Sequence, residues 1–421
     1  MAQKNGTPKA ASTVLDQKFW QNFAKNHWEK KPLVARNVKS GLLEMTDAEI
    51  FELLVSYSDR CREMNDPEGL KFFIDGVKAD PEEVLELLPE KSDKSLVGYH
   101  KRMNAQFPDY CLVCDELLQV NLKKQHLLQD FTDDLFRYVG FPNRFSEIGL
   151  YLGNYRKTPF GVHVDSCGVF SFPVAGVKRF RLWPAAYGDK HPELDRTFNY
   201  EKHKKHSQLV EVGPGDMTYW PSSEWHIAES DGSFSATWSL GVWVDQTHGD
   251  MFGSALKDVV DTKLGSAGLK VTTPFKALHD KWGEVGELPK IYQDSLKALK
   301  SLSAAELEEA FLKSWMKHIS LQGFKTVPVS AVKVSAKSRL QLRSVRSPVL
   351  WQQSSGNKKA FSLSYGGVLV QSSSAELLRI VKDLNAGKVC VPAQYLKGKG
   401  AKADLRLLQT LADTGAFAAK I

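Results

Sequence analysis

From about Ser146 to Asp245 the chain reads as one strand after another, and this block limits the folds open to it more than any other feature. In GLYLGNY, GVFSFPVAG, KRFRLWP, GDMTYWP and SATWSLGVWV the side chains alternate with the two-residue period of a half-buried strand. Glycine and proline punctuate the segments. Successive short strands of this kind close into a sandwich or barrel. At 421 residues the chain exceeds a single core, so two or three domains are expected.

Helical patterns flank the block. Residues 13 to 60 are read as mainly helical, broken at Pro32 and resumed after a Thr46 or Asp47 cap, with Ile50, Leu53, Leu54 and Tyr57 on one face. KFFIDGVKAD is read as a hairpin turning at Asp75-Gly76. PEEVLELL and NLKKQHLLQDFTDDLFRYVG read as helices around the strand YCLVCDELL. Residues 250 to 325 turn helical, with Leu296, Leu299, Leu302 and Leu307 near helical spacing. Short strands follow (AVKVSAK, LQLRSV, PVLWQQ, AFSLSYGGVLVQ), then helices AELLRIVKDLNAG, ending on Gly387, and ADLRLLQTLADTGAF. The expected organisation is α+β: residues 1–130 complete a core, 131–250 form its barrel, 251–325 are helical and 326–421 form a small basic domain of winged-helix type.

Charge is distributed unevenly. From Thr326 to Ile421 there are 15 Lys/Arg against 4 Asp/Glu, a balance of +11, which leaves −4 for residues 1–325 out of a total of +7. The C-terminal portion therefore suits an acidic partner, nucleic acid or peptide, or simply presents a solvated basic surface. No run approaches the length of a membrane span, and the polar start lacks the apolar centre of a secretory signal; a cytoplasmic protein is expected. Five cysteines, Cys61, Cys111, Cys114, Cys167 and Cys390, form no disulfide framework. Cys111 and Cys114 form a lone CxxC whose residues face opposite sides of a strand, so they are read as packing cysteines in preference to a zinc or redox site.

Three features bear on chemistry. In FGVHVDSCGVF, read as a strand, His163 and Asp165 project together while Phe160, Val162 and Val164 point the other way. Sixty or so residues on, GPGDMTYWPSSEWHIAES brings His226 after a tight turn and a short strand. Two histidines and a carboxylate drawn together from two strands make a facial triad, a set that favours Fe(II) and leaves positions open. A mutually satisfied polar pair is the plainer alternative. Lys178, in VAGVKRFRLWP, shares a strand face with Phe180 and Leu182; it either faces solvent or requires an anion such as a dicarboxylate. His203 and His206 of EKHKKH could chelate at helical spacing, yet they lie among lysines that repel a cation. His27, His100, His126, His191, His248, His279 and His318 show no partner pattern.

PFGVHVDSCGVFSFPVAGVKRFRLWP followed by GPGDMTYWPSSEWH resembles the JmjC or cupin-like Fe(II) and 2-oxoglutarate-dependent oxygenases, particularly their asparaginyl hydroxylase and ribosomal oxygenase branches. FWQNFAKNHWEKKPLVARN is similar to that family's entry segment, so the likeness spans about residues 15 to 245. The resemblance implies a double-stranded β-helix of jelly-roll or cupin type with flanking helices, a helical linker that dimerises the chain into a homodimer, and a winged-helix-like end. It also implies that His163, Asp165 and His226 bind iron and that Lys178 pairs with the distal carboxylate of 2-oxoglutarate. Hydroxyls from Tyr151 or Thr158 on one strand and Thr237 or Ser239 on another would assist. Two departures stand out. KTPFGVHVD has two residues more between Thr-Pro and the HxD than the asparaginyl hydroxylase pattern, and Val169 stands near where that pattern often has asparagine.

On this likeness the chain would use dioxygen and 2-oxoglutarate to hydroxylate a side chain of a protein or peptide. The same triad suits removal of an N-methyl group from lysine or arginine. A non-catalytic cupin that binds peptide or RNA is the reading from another class. The basic end would meet a ribosomal protein with its RNA, or an acidic leader on a precursor peptide. Tyr219, Trp220, Trp225 and Trp238 are read as barrel packing or as lining of the entrance.

Overall fold

Alternation along the central block resolves into antiparallel sheets in a computed structural model that describes residues 12–265, 288–325 and 332–420. The polar chain start before residue 12, His279 and Ala331 lie outside these. The described residues divide into two compact units: 12–245 with 323–325, and the remainder. The fold is mixed α+β.

In the first unit the strands are β1 (Leu33–Ala35), β2 (Leu70–Ile74), β3 (Val77–Lys78), β4 (Tyr110–Asp115), β5 (Phe145–Gly153), β6 (Cys167–Ala175), β7 (Lys178–Trp183), β8 (Gln208–Val212), β9 (Met217–Trp220), β10 (Trp225–Glu229) and β11 (Ser235–Trp243). Among the described residues they form an eight-stranded sheet in the order β1-β9-β6-β11-β5-β4-β2-β3 and a three-stranded sheet, β10-β7-β8. Asp75 and Gly76 both take positive φ, 48° and 78°, as the two-residue turn between β2 and β3 demands.

Period two sorts the large sheet into faces. Leu150 and Leu152 of β5, Phe170 and Phe172 of β6, and Trp238 and Leu240 of β11 enter one large core. That core is completed by α1 (Gln17–Asn26), α2 (Asp47–Met64), α3 (Pro81–Leu87), α4 (Leu96–Asn104) and α5 (Leu122–Val139). The intervening residues face the small sheet: Val169 and Trp220 pack with Phe180, Leu182, Val210 and Ala228 in a separate cluster. The helices start where their side chains can satisfy free backbone N–H groups. Thr46 and Glu49 form a reciprocal capping box on α2, and Asp16 caps α1. A short turn, α6 (Ala185–Gly188), begins the excursion between β7 and β8.

The second unit holds α7 (His248–Leu264), α8 (Lys290–Lys300) and α9 (Ala304–Ser320), then β12 (Arg339–Leu342), β13 (Leu350–Gln353), β14 (Phe361–Tyr365), β15 (Val368–Ser372), α10 (Ala375–Asn385), α11 (Pro392–Tyr395), α12 (Ala401–Asp413) and β16 (Phe417–Lys420). β13-β14-β15 form one sheet, β12-β16 another, and both pack with α10 and α12 around their own core. Gly387 follows α10 with φ +80°, as the left-handed C-terminal position requires.

The structure corrects several expectations. The leucine pattern from Leu296 to Leu307 is two helices, because Ser303 opens a new capping box with Glu306. The described part of AVKVSAK is not a strand. FGVHVD is not a regular strand either: His163 makes an isolated bridge and Asp165 lies outside any strand, so the expected alternation fails. Val162 is buried, Val164 is exposed, and Phe160 lines the same cavity as His163. No described helix is long and apolar enough to cross a membrane.

Candidate metal centre

His226 is the second residue of β10, paired with Leu182 of β7. On its other side it meets His163: the His163 N–H donates to His226 O (3.0 Å) and the His226 N–H to His163 O (2.7 Å). This double backbone bond sets the two imidazoles side by side, ring centres 4.3 Å apart. Asp165 closes the triangle, with Oδ1 3.7 Å from His163 Nε2 and Oδ2 3.4 Å from His226 Nε2. Adjacent ligands about 2.1 Å from one ion stand roughly 3 Å apart at right angles, so a small contraction would suffice.

Each imidazole is held by its other nitrogen. His163 Nδ1 lies 3.0 Å from Gly161 O, and His226 Nδ1 3.1 Å from Glu224 O. A carbonyl only accepts, so Nδ1 carries the proton in both rings and the Nε2 lone pairs are turned toward Asp165. Burial, and then the neighbouring His163, depress the His226 pKa to about 4, which keeps that ring neutral and fit to ligate. Gly161 is obligatory here. Its φ is +68° and an added Cβ would lie 2.5 Å from the Arg196 carbonyl oxygen.

The three groups open on a cavity of about 70 Å³ between the sheets. All eight residues singled out from the sequence line it. Tyr151 comes from β5, Thr237 and Ser239 from β11, and Lys178 from β7, while Thr158 sits in the loop after β5 and not on the strand assigned to it. The Thr158 hydroxyl accepts a bond from the Ala228 N–H (3.4 Å), so its oxygen already serves the backbone. Thr237 Oγ1 is buried without a hydrogen-bond partner among the described residues, and so is Ser171 Oγ, which the sequence reading overlooked. Thr237 lies at a register shift between β11 and β6.

Lys178 is 2% exposed and has no carboxylate within ion-pair distance among the described residues. Its ammonium touches the Tyr155 hydroxyl and lies 3.8 Å from that ring's centre. Burial lowers its pKa to about 7. Tyr155 was also missed: it falls in the irregular GNYRKTP stretch, where no alternation marks it. A buried lysine that shares one cavity with two unpartnered hydroxyls, two imidazoles and a carboxylate matches a divalent metal chelated by an anionic ligand.

Of the four aromatics weighed as entrance residues, Trp220 alone lines the cavity. Tyr219 and Trp238 join the helix-side core, and Trp225 packs with Trp183 and Ile227. Cys111 and Cys114 lie in different clusters on opposite faces of β4. Burial pushes the Cys111 thiol up to about 12, in keeping with a packing role.

Residues 125–249 match the family model described as the JmjC domain. Among solved structures, the chain is similar to the X-ray structure of E. coli ycfD, with 15% identity, TM-score 0.52, and 95% of this chain and 98% of that one covered. It is also similar to YcfD, a ribosomal oxygenase from Escherichia coli, in complex with cobalt and 2-oxoglutarate (15% identity, 96% and 98% covered, TM-score 0.50). A third, the same protein with cobalt and succinic acid, gives 14%, 96%, 98% and 0.50. At these identities the likeness is one of fold. No curated protein matches the chain by sequence.

Proposed function

We propose that this chain, which carries a JmjC domain over residues 125–249, is an Fe(II)- and 2-oxoglutarate-dependent oxygenase that hydroxylates an amino-acid side chain in a protein or peptide. One observation carries the reading: His163, Asp165 and His226 face a buried, anion-free Lys178 across a single cavity. When bound, ferrous iron with 2-oxoglutarate and dioxygen would supply the oxidising power.

The chain's own residues have definable tasks. His163 and His226 present neutral Nε2 donors and Asp165 a carboxylate oxygen, three ligands that leave other positions free. Lys178 holds the far carboxylate of the cosubstrate, with the Tyr155 hydroxyl against it and the unpartnered Thr237 hydroxyl lining the same cavity. Val169, Phe180 and Trp220 give the cavity apolar walls that limit water. The sheets hold His226, Lys178 and Thr237, and the backbone bridge to His226 holds His163, before any ligand arrives, which is the positioning that directs oxidation to one carbon.

The strand order of the two facing sheets supports a double-stranded β-helix, and the helices with the β14–β15 hairpin support a winged-helix-like end. The organisation proposed is the one expected above, with residues 251–325 as a dimerising helical segment. YcfD is named a ribosomal oxygenase, and this supports a ribosomal protein as the substrate class and a cytoplasmic setting. The test is incubation of the iron-loaded chain with 2-oxoglutarate and ribosomal proteins, read by mass spectrometry. Gain of one oxygen atom, abolished in His163→Ala, is the expected result. Loss of a methylene from a methylated substrate would shift the reading to demethylation, and failure to bind Fe(II) would overturn it.

A further inference from the structure

A second group of ligating side chains lies apart from the cavity, in the excursion between β7 and β8. We propose that His191, Glu193 and His203 form a second divalent-metal site, suited to Zn(II), that is independent of the centre at His163, Asp165 and His226. One ligand atom from each of the three lies within 4.8 Å of the others. Glu193 Oε1 sits between the two rings, 2.9 Å from His191 Nδ1 and 3.6 Å from His203 Nε2. The first contact is the hydrogen bond that an ion would replace. The second is too long for a hydrogen bond and close to the roughly 3.4 Å that separates two ligands about 2.1 Å from a tetrahedral ion.

The site is built and not merely crowded. His203 Nδ1 is engaged by the Tyr187 hydroxyl at 2.9 Å, which leaves Nε2 turned toward Glu193. The backbone beneath is anchored, since the Trp183 indole N–H donates to His203 O (2.9 Å) and both Leu194 and Tyr200 are buried. Gly188, just before His191, packs so tightly on Trp225 that an added Cβ would fall 2.2 Å from its ring. Glu193, with 57% of its side chain exposed, gives an ion access from solvent. Two imidazoles and one carboxylate are the donor set of an open zinc site, while calcium and magnesium would ask for oxygen ligands throughout.

The lysines nearby do not forbid this. Lys204 is paired with Glu201 at 2.7 Å, and Lys202 and Lys205 are exposed to water, where the high effective dielectric weakens their repulsion of a cation. The chelate suggested by EKHKKH itself does not form. His206 stacks on Tyr187, and the partners of His203 come from the preceding turn.

The experiment is equilibrium dialysis of the chelator-stripped, full-length chain against Zn(II), with metal and protein quantified together. The wild type should bind two ions, His191→Ala/His203→Ala one, and His163→Ala one. Glu193→Gln, at an exposed position that does not threaten folding, should also lose one, and Zn(II) should raise the Tm of His163→Ala but not of His163→Ala with His203→Ala. A single ion in the wild type that disappears with His163→Ala, or two ions retained by both Glu193→Gln and His191→Ala/His203→Ala, would overturn the site. Failure of the oxygenase reading would leave these second-site results unchanged.

Discussion

Lys178 lies with its ammonium buried against Tyr155 and no carboxylate beside it, so its charge depends on what enters the cavity. With a pKa lowered to about 7 by burial, it is cationic below neutrality and neutral above. An anion binds the cationic form. The apparent affinity for 2-oxoglutarate should therefore be highest below pH 7 and fall by about tenfold per unit above it, until the pKa of the complex is passed. Calorimetric titration of the metal-loaded chain at several pH values checks this. Lys178→Met should flatten the pH dependence and weaken binding by about 2–5 kcal/mol, at least ~30-fold. Binding that strengthens toward pH 9 would contradict this role for the lysine.

At the scale of elements, the site depends on joints that the sequence pattern discloses unequally. Period two made β5, β6, β9 and β11 readable, whereas Tyr151, Thr237 and Ser239 were named through the family resemblance. The HxD segment named His163 and Asp165, which the structure brings together with His226, through a geometry the pattern did not predict. His163 is held by a lone bridge to His226 and its ring by Gly161, whose need for positive φ leaves no trace in alternation. Gly161→Ala should cost about 1–2 kcal/mol for the left-handed backbone alone, more with the Arg196 clash, and should loosen His163; a lower Tm together with weaker metal binding would be measured. Tyr155 and Ser171 stayed hidden because one lies in irregular chain and the other looks like any small strand residue. Farther out, Phe23 of α1 is fully buried against Phe170 and Tyr219 at centroid distances of 5.4 and 4.8 Å. Phe23→Ala should destabilise the first unit by about 3–5 kcal/mol in denaturant unfolding while leaving the metal ligands intact.

Across the whole molecule, charge is divided by sequence: −4 up to residue 325 and +11 beyond. The distribution was legible from composition, whereas the surface that displays it needed the fold. Lys397 and Lys399 are exposed in the loop that enters α12, and Lys402 and Arg406 are exposed on the helix side opposite the buried Leu408 and Leu411. A charge stripe of this kind, with no carboxylate of its own in ion-pair distance among the described residues, suits a polyanion better than a neutral peptide. If that polyanion is the RNA around a ribosomal substrate, binding must release counterions. Affinity of the full-length chain for a single-stranded RNA should then fall steeply with salt. Replacing these four residues with alanine should weaken binding across RNA sequences alike and reduce the slope of log K against log salt by about three, at roughly 0.7 per phosphate contact. Hydroxylation of a short free peptide should be unchanged by the same substitutions, because none of the four lines the cavity at His163. An unaltered salt slope in the variant would place the RNA elsewhere, and an acidic peptide that binds in its stead would identify the other partner class.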